Sequence, residues 1–133
     1  MFAAAGLPHR ATQERVPNSR KALLLSERAL ELGRLEPLHE KLFSAYWRDG
    51  LDLGDNATLL GLAADAGDAA EEAEPALSDP ALLERLEAST REAIELGAGG
   101  VPAWLVDDRL LVPGNQPEEV FARVMERLGH SPV

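Results

Sequence analysis

The sequence predicts a mostly helical α/β fold whose single strand-forming stretch is a short β-hairpin near the C-terminus. Apolar residues recur at three- and four-residue spacings through most of residues 18–97, which is typical of amphipathic helices. Asn, Asp or Pro opens these segments and Gly closes most of them, as at helix ends. Between Gly99 and Pro117 the pattern changes to two apolar runs around a polar turn, which indicates two paired strands.

The composition and charge exclude several classes of protein. The 133 residues are enough for one domain, 45% of them are hydrophobic, and none is cysteine, so neither a disulfide nor a thiolate nucleophile arises within this sequence. The net charge of −10 argues against nucleic acids and anionic membrane surfaces as partners. The N-terminus lacks the pattern of a signal peptide, and no apolar run reaches the length of a membrane span. We therefore expect a cytoplasmic protein.

The first part of the chain predicts an irregular lead-in and two helices. Residues 1–17 have no sustained period, apart from one helical turn expected at residues 2–5. Asn18 is the expected N-cap of the first helix, which ends at Gly33. The second helix is expected from about Leu35 to Arg48. The predicted buried faces comprise Ala22, Leu25, Ala29 and Leu32 in the first helix and Leu38, Leu42, Ala45 and Tyr46 in the second.

Two further full helices and one short helical segment are predicted before the hairpin. Asp55 caps a helix that ends at Gly67. Residues 68–77 are acidic and can be helical only in short form, because Pro75 interrupts a longer run. Asp79-Pro80 then opens a long helix to about Leu96. The predicted buried positions are Leu59, Leu62, Ala63 and Ala66 in the former helix and Leu82, Leu86, Ser89, Ala93 and Leu96 in the latter.

The hairpin and the last helix complete the chain. Residues 103–106 and 110–112 are the predicted strands, and Asp107-Asp108-Arg109 forms the turn between them. Pro117 opens the last helix, where two glutamates lie favourably near its positive end. Gly129 ends that helix, and its predicted core face comprises Val120, Phe121, Val124, Met125 and Leu128.

No residues in the sequence have the spacing of a metal site or a catalytic group. The three histidines, His9, His39 and His130, are too far apart in the chain to match a metal-ligand motif, so we expect structural or solvent-exposed roles for them. The glycines at 97–100 follow a helix rather than a strand, and this position does not fit a dinucleotide-binding loop. We expect no catalytic residue, no metal and no cofactor.

The peptide bond between Val101 and Pro102, at the entry to the hairpin, can be either trans or cis. By base rate about 5–6% of bonds before proline are cis in folded proteins, so the residues alone favour an ordinary trans proline at the start of a strand. They leave the isomer undetermined.

Several motifs from Pro17 onward match a known family pattern. The landmarks are the Pro17-Asn18 helix entry, Tyr46-Trp47 before Gly50, and the helix at Asp55. The most specific match runs from Gly100-Val101-Pro102-Ala103-Trp104-Leu105-Val106-Asp107 through Arg109 to Gly114-Asn115-Gln116-Pro117. On these residues the chain resembles the DsbA-like thioredoxin superfamily, most closely its branch of FrnE-type disulfide oxidoreductases and 2-hydroxychromene-2-carboxylate isomerases. The resemblance covers roughly residues 15–129.

The resemblance implies a fold, a domain division and a site. Residues 18–97 would be the family's helical insertion, residues 98–133 the C-terminal β-β-α unit of a thioredoxin-like fold, and residues 1–17 the lead-in. The bond before Pro102 would be cis. Val101 and Pro102 would form a substrate-binding rim, where the backbone of Val101 pairs with an extended protein thiol or a glutathione-like substrate.

The sequence also departs from the family pattern. Family members begin with a strand and a Cys-x-x-Cys motif, in which the isomerases and kappa-type glutathione transferases carry serine at the first cysteine. This chain has neither the strand nor a cysteine, so it resembles the C-terminal two thirds of such a protein. We expect an incomplete thioredoxin-like fold without redox chemistry of its own, since thiol–disulfide exchange requires a thiolate. The alternative is a non-catalytic assembly module that forms a homodimer through the hairpin edge.

Overall fold

A computed structural model describes Gly6 and residues 16–130 of the chain. The helical turn predicted at residues 2–5, most of the lead-in and His9 lie outside the described residues. The observed helices and strands, in chain order, are α1 (Arg20–Glu31), α2 (Leu35–Phe43), which continues as a π-helical turn (Ser44–Asp49), α3 (Asn56–Asp65), α4 (Ala70–Ala73), which continues as a 3-10 turn (Glu74–Ser78), α5 (Pro80–Glu95), β1 (Ala103–Val106), β2 (Leu110–Pro113) and α6 (Glu118–Leu128).

The chain divides into two compact units between Glu87 and Ala88, within α5. We call the part up to Glu87 unit 1 and the part from Ala88 onward unit 2. The predicted segments 1–17, 18–97 and 98–133 follow the family pattern rather than compactness, and they stay a prediction. None of the helices in the described part of the chain combines the length and the apolar character that a membrane crossing requires.

Unit 1 has a hydrophobic core built from its helices. α1 packs against α2, α3 and the 3-10 turn, and Leu25 and Leu59 are its largest fully buried side chains. Burial of such leucines is the main favourable contribution to the stability of a helical domain. The other buried apolar residues of this core are Ala22, Leu24, Ala29, Leu38, Leu42, Ala45, Leu53, Ala63, Ala73, Ala76, Leu77 and Leu82.

A partly buried ion pair links two segments of unit 1. Arg28 of α1 donates from Nε and Nη2 to the two carboxylate oxygens of Asp68, at 2.6 and 2.9 Å. Asp68 is 6% exposed, and its hydrogen bonds raise the pKa of Arg28 above the ordinary value. Two parallel hydrogen bonds fix the geometry of the pair, which ties α1 to the loop after α3.

Two N-caps lie at the residues that the sequence predicts, and a third lies one residue away. Asp55 caps α3 as predicted, because its Oδ2 accepts from the Thr58 amide at 2.8 Å. Asp79 Oδ1 accepts from the Ala81 amide at the start of α5. The N-cap of α1 is Ser19 rather than Asn18. The side chain of Asn18 still accepts from the Arg20 amide at 3.0 Å, so the prediction was wrong by one residue.

The second helix is not the single α-helix predicted up to Arg48. α2 ends at Phe43, and residues Ser44–Asp49 form a π-helical turn. Gly50 ends this turn in the left-handed region at φ 68°, where glycine carries no steric cost. The Leu51 amide then donates to Ala45 O at 2.8 Å. The wider turn keeps Ala45 buried while it closes onto the following loop.

Several predicted core positions are exposed. Leu32 lies outside the core, whereas Leu24 and Ser26 are buried, because α1 contacts neighbours on more than one side. In α5 only Leu82 is buried, and Ser89, Ala93 and Leu96 are exposed. α6 has no fully buried residue, although most of its predicted face is half-buried. The prediction of buried faces was therefore wrong for Leu32, for the last two turns of α5 and for Met125.

Candidate functional site

The hairpin of unit 2 is an antiparallel pair in a fixed register. Trp104 pairs with Val112 and Leu105 with Leu111, as the two apolar runs predicted. Asp107 and Asp108 both adopt φ 52°, a left-handed conformation that Asp tolerates better than most residues. The Arg109 amide donates to Val106 O at 3.1 Å. Positive φ at two successive turn residues is typical of hairpin turns whose backbone twist matches that of the flanking strands.

One edge of β1 has no strand beside it among the described residues. Pro102 O accepts from the Gly114 amide at 2.8 Å, and Val106 O accepts from Arg109, so alternate backbone groups of β1 point toward β2. Because successive residues of a strand point in opposite directions, the N–H and C=O groups of Ala103 and Leu105 point the other way. We call this the open edge of the hairpin.

The two faces of the hairpin have different surroundings. On one face Trp104 meets Phe121 of α6 edge to face, with ring centroids 5.6 Å apart and an interplanar angle of 84°. Val112, opposite Trp104, is the one buried apolar residue among the described residues of unit 2. An aromatic pair of this geometry contributes about 0.5–1.5 kcal/mol beyond burial. It holds α6 on this face.

The other face borders a groove of about 570 Å³ between the hairpin and the C-terminal half of α5. We call it the hairpin groove. Gly97 ends α5 at φ 91° close to the side chain of Leu111. Most large apolar residues of the hairpin groove are exposed, Ile94 and Leu105 among them, whereas Leu111 is half-buried. The residues lining the groove are Ser89, Thr90, Ala93, Ile94, Leu96, Ala98, Gly99, Gly100, Val101, Ala103, Leu105 and Leu111.

Val101 and Pro102, the predicted substrate-binding residues, lie where the hairpin groove meets the start of β1. The peptide bond between them is cis. The Val101 side chain is 98% exposed and Pro102 is also exposed. We call these two residues the rim. Both stand immediately before the open edge, so a bound extended chain could reach the rim and the edge together.

Within Gly6 and residues 16–130, no group of three or more His, Cys, Asp or Glu residues could hold a metal ion. His130 Nε2 lies 2.5 Å from Asp107 Oδ2, which ties the end of α6 to the hairpin turn. His39 lies on α2, in unit 1. The arrangement offers backbone hydrogen bonds and apolar surface, both suited to binding.

The model of the DSBA-like thioredoxin domain family matches residues 2–126 of this chain. The chain belongs to the DsbA-like thioredoxin family. The resemblance stated from the hairpin residues is therefore confirmed at the level of the family. The observed fold, mostly helical with one two-stranded antiparallel sheet, agrees with the predicted fold class.

Solved structures of DsbA-type proteins are similar to this chain. A probable DsbA oxidoreductase from Streptomyces coelicolor is 34% identical, with a TM-score of 0.86 over 99% of this chain and 58% of that one. A proposed protein disulfide isomerase from Nitrosomonas europaea is 20% identical, with a TM-score of 0.75 over 98% of this chain and 70% of that one. The chain thus spans just over half of the Streptomyces protein. No curated protein matches it in sequence.

The sequence pattern did not predict the groove beside the rim. Ile94 and Leu105 stand on the groove side, and Ile94 lies off the predicted apolar stripe of α5. An apolar residue on the face of a helix expected to meet water is the signal that was available.

Proposed function

We propose that this chain supplies the helical insertion and the substrate-facing rim of a DsbA-type thiol–disulfide oxidoreductase of the FrnE branch, in the cytoplasm. Val101 and Pro102 would bind an extended protein thiol or a glutathione-like substrate. The observation that carries the proposal is the nearly complete exposure of Val101 next to the open edge, in a chain of this family.

The backbone at the open edge supports binding by strand addition. Ala103 and Leu105 present N–H and C=O groups at the spacing of a β-ladder, and an extended peptide can hydrogen-bond to them. The exposed apolar side chains of the hairpin groove would accept alternate side chains of that peptide. Such recognition depends on backbone geometry, so it suits substrates of varied sequence.

The chemistry of exchange would come from thiols outside these residues. Thiol–disulfide exchange needs a thiolate as nucleophile, and the sequence contains no cysteine. Family members carry Cys-x-x-Cys in a segment that precedes the region matched here. We propose that this chain binds substrate but does not itself reduce or oxidise a disulfide.

The binding half of the proposal is tested by titrating the ¹⁵N-labelled chain with an extended cysteine-containing peptide and, separately, with glutathione. We expect shifts of the amide signals of Ala103 and Leu105. Val101→Asp should weaken binding, while Leu51→Asp, at another exposed apolar residue, should not. The matched control ligand is a peptide with proline at alternate positions, because the proline residues lack the backbone N–H donors. Shifts spread over unit 1 instead would contradict the proposal.

The redox half is tested separately. The purified chain should not accelerate the reduction of insulin by dithiothreitol, and any rate above background would overturn this part. Translation of the DNA upstream of Met1 shows whether an in-frame strand and a Cys-x-x-Cys motif precede it; an in-frame stop or unrelated sequence would count against a misassigned start.

A second candidate is a non-catalytic assembly module. The open edge favours it, because an unpaired strand edge can pair with a second copy across a two-fold axis. Light scattering after size exclusion distinguishes the candidates. Leu105→Pro removes an N–H group from the open edge. A wild-type dimer that becomes a folded monomer in this variant would support assembly. A wild-type monomer at micromolar concentration would exclude it.

A further inference from the structure

The hairpin groove and the open edge belong to one continuous surface of unit 2. The groove lies between β1 and the C-terminal half of α5, and Ala103 and Leu105 line it. The backbone groups of the same two residues form the open edge. A chain that pairs with the open edge therefore runs beside the groove.

The register of the hairpin determines which side chains of a bound strand would face the groove. Leu105 pairs with Leu111, and both line the groove, whereas Trp104 contacts Phe121 on the opposite face. Residues directly opposite each other in paired strands have their side chains on the same face. The two side chains opposite Ala103 and Leu105 would therefore point into the groove, and the side chain between those two would point to the other face.

The end of α5 supplies the other wall of the groove with exposed apolar residues. Ile94 is 65% exposed and Leu96 is 48% exposed, and both line the groove. Leu105, on the hairpin side, is 41% exposed. An apolar side chain placed between these walls removes its own surface and theirs from water, which is favourable. A polar side chain in the same place gains less.

The length and the charge of the surface favour a protein segment over glutathione. Ala103 and Leu105 lie about 7 Å apart along the strand, so a ligand needs three successive α-linked residues to pair with both. Glutathione is a tripeptide whose glutamate is linked through its side chain, and it lacks such a run. It is also anionic at neutral pH, and the net charge of −10 on this chain opposes its approach.

We infer that the hairpin groove selects protein segments with apolar side chains at two positions two residues apart, and that Ile94 determines this specificity. The inference rests on the proposed function, because it concerns the same binding surface and names the class of substrate that this surface takes. That class is the extended protein thiol rather than the glutathione-like substrate.

Two peptides of identical composition test the preference for alternate positions. One contains Leu-Ser-Leu and the other Leu-Leu-Ser, within the same polar, uncharged flanking sequence. The first can place both leucines on the groove side, whereas the second can place only one there in any register. Titration of the ¹⁵N-labelled chain should show about tenfold tighter binding of Leu-Ser-Leu, because a second leucine leaves water. Glutathione should bind more weakly than both peptides.

Substitution of Ile94 tests its role in specificity. Ile94→Glu should remove the preference for Leu-Ser-Leu and should strengthen binding of a Lys-Ser-Leu peptide about two- to fivefold, as for an exposed ion pair. Ile94→Ser should remove the preference without favouring lysine. Leu30→Glu is the matched control, since Leu30 is an exposed leucine of α1 in unit 1, and it should change none of these affinities. Circular dichroism of each variant checks that the helices are retained.

The possible results separate this inference from the proposed function. Equal affinity of the two leucine peptides, with shifts of the Ala103 and Leu105 amides in both titrations, would overturn the inference and leave the proposed function standing. Glutathione binding as tight as that of Leu-Ser-Leu would do the same. A preference for Leu-Ser-Leu that persists in a folded Ile94→Glu variant would refute the role of Ile94. The absence of shifts at both amides with every ligand would contradict the inference and the proposed function together.

Discussion

The two units of this chain bury their apolar residues to very different degrees. Unit 1 contains two leucines that are essentially inaccessible to solvent, Leu25 and Leu59, and a partly buried ion pair. In unit 2 Val112 is buried, while Ile94, Val101 and Leu105 are exposed. Hydrophobic burial is the main force that stabilises a fold, so unit 1 contributes most of the stability of this chain. Unit 2 presents apolar surface and an open strand edge, as binding surfaces do.

The largest expected effect on stability comes from a substitution that creates a cavity in unit 1. Leu59 has 0% exposure, and Leu59→Ala should lower the free energy of unfolding by about 3–5 kcal/mol, because it removes transfer energy and leaves a void. Leu105→Ala in unit 2 should cost less than about 1 kcal/mol, since that leucine is already partly in water. Urea denaturation followed by circular dichroism measures both. Equal losses would break the comparison.

The next largest effect concerns the ion pair of unit 1. Asp68→Ala leaves Arg28 without its buried partner, and we expect a loss of about 2 kcal/mol, moderated because Arg28 reaches solvent. Replacement of Arg28 and Asp68 together by Met and Leu should restore part of that loss, because no charge is then left unpaired. Thermal unfolding of wild type, Arg28→Met, Asp68→Leu and the double variant gives the coupling energy. A double variant no more stable than Asp68→Ala would contradict this explanation.

A smaller effect is expected where α6 meets the hairpin. Phe121→Ala removes the ring that packs edge to face on Trp104 and should cost about 1–2 kcal/mol. Tryptophan emission should shift to longer wavelength as Trp104 becomes wetter. Met125→Ala, at an exposed position of α6, is the control and should change neither quantity. A loss as large as that of Leu59→Ala would mean that unit 2 has a core of its own.

The smallest effect is pH-dependent. Hydrogen bonds from the amide and hydroxyl of Thr58, with a lesser contribution from Lys21, hold the pKa of Asp55 below its ordinary value. Because the folded-state pKa is the lower one, the stabilisation is present above the ordinary aspartate pKa of about 4 and is lost as the pH falls through the folded value. Asp55→Asn keeps a good N-cap without the charge. The midpoint temperature of thermal unfolding should be higher for wild type than for Asp55→Asn at neutral pH, and the two should approach each other in acid. A difference that does not change with pH would be inconsistent with this explanation of the cap.

Much of the fold could be predicted from local signals. Asp55 and Asp79 begin α3 and α5 where the sequence predicts them, and Gly97 and Gly129 lie at the ends of α5 and α6. The register of Trp104 with Val112 follows from two apolar runs around a polar turn. The same stretch, Gly100 to Pro117, also carried the resemblance to the family. These features depend on residues close together in the chain, so a sequence specifies them directly.

Only the tertiary structure decided which apolar residues are covered. The spacing of Leu82, Ala93 and Leu96 predicted one buried stripe, yet the neighbours of α5 cover Leu82 and leave the other two exposed. Likewise Phe43 and Trp47 follow the helical period, but among the described residues the packing of α1 beside them leaves an apolar pocket. Periodicity states which residues share a face, whereas burial depends on what packs against that face. The sequence by itself determined the helices, the hairpin and the family; contacts between distant segments determined the groove and the pocket.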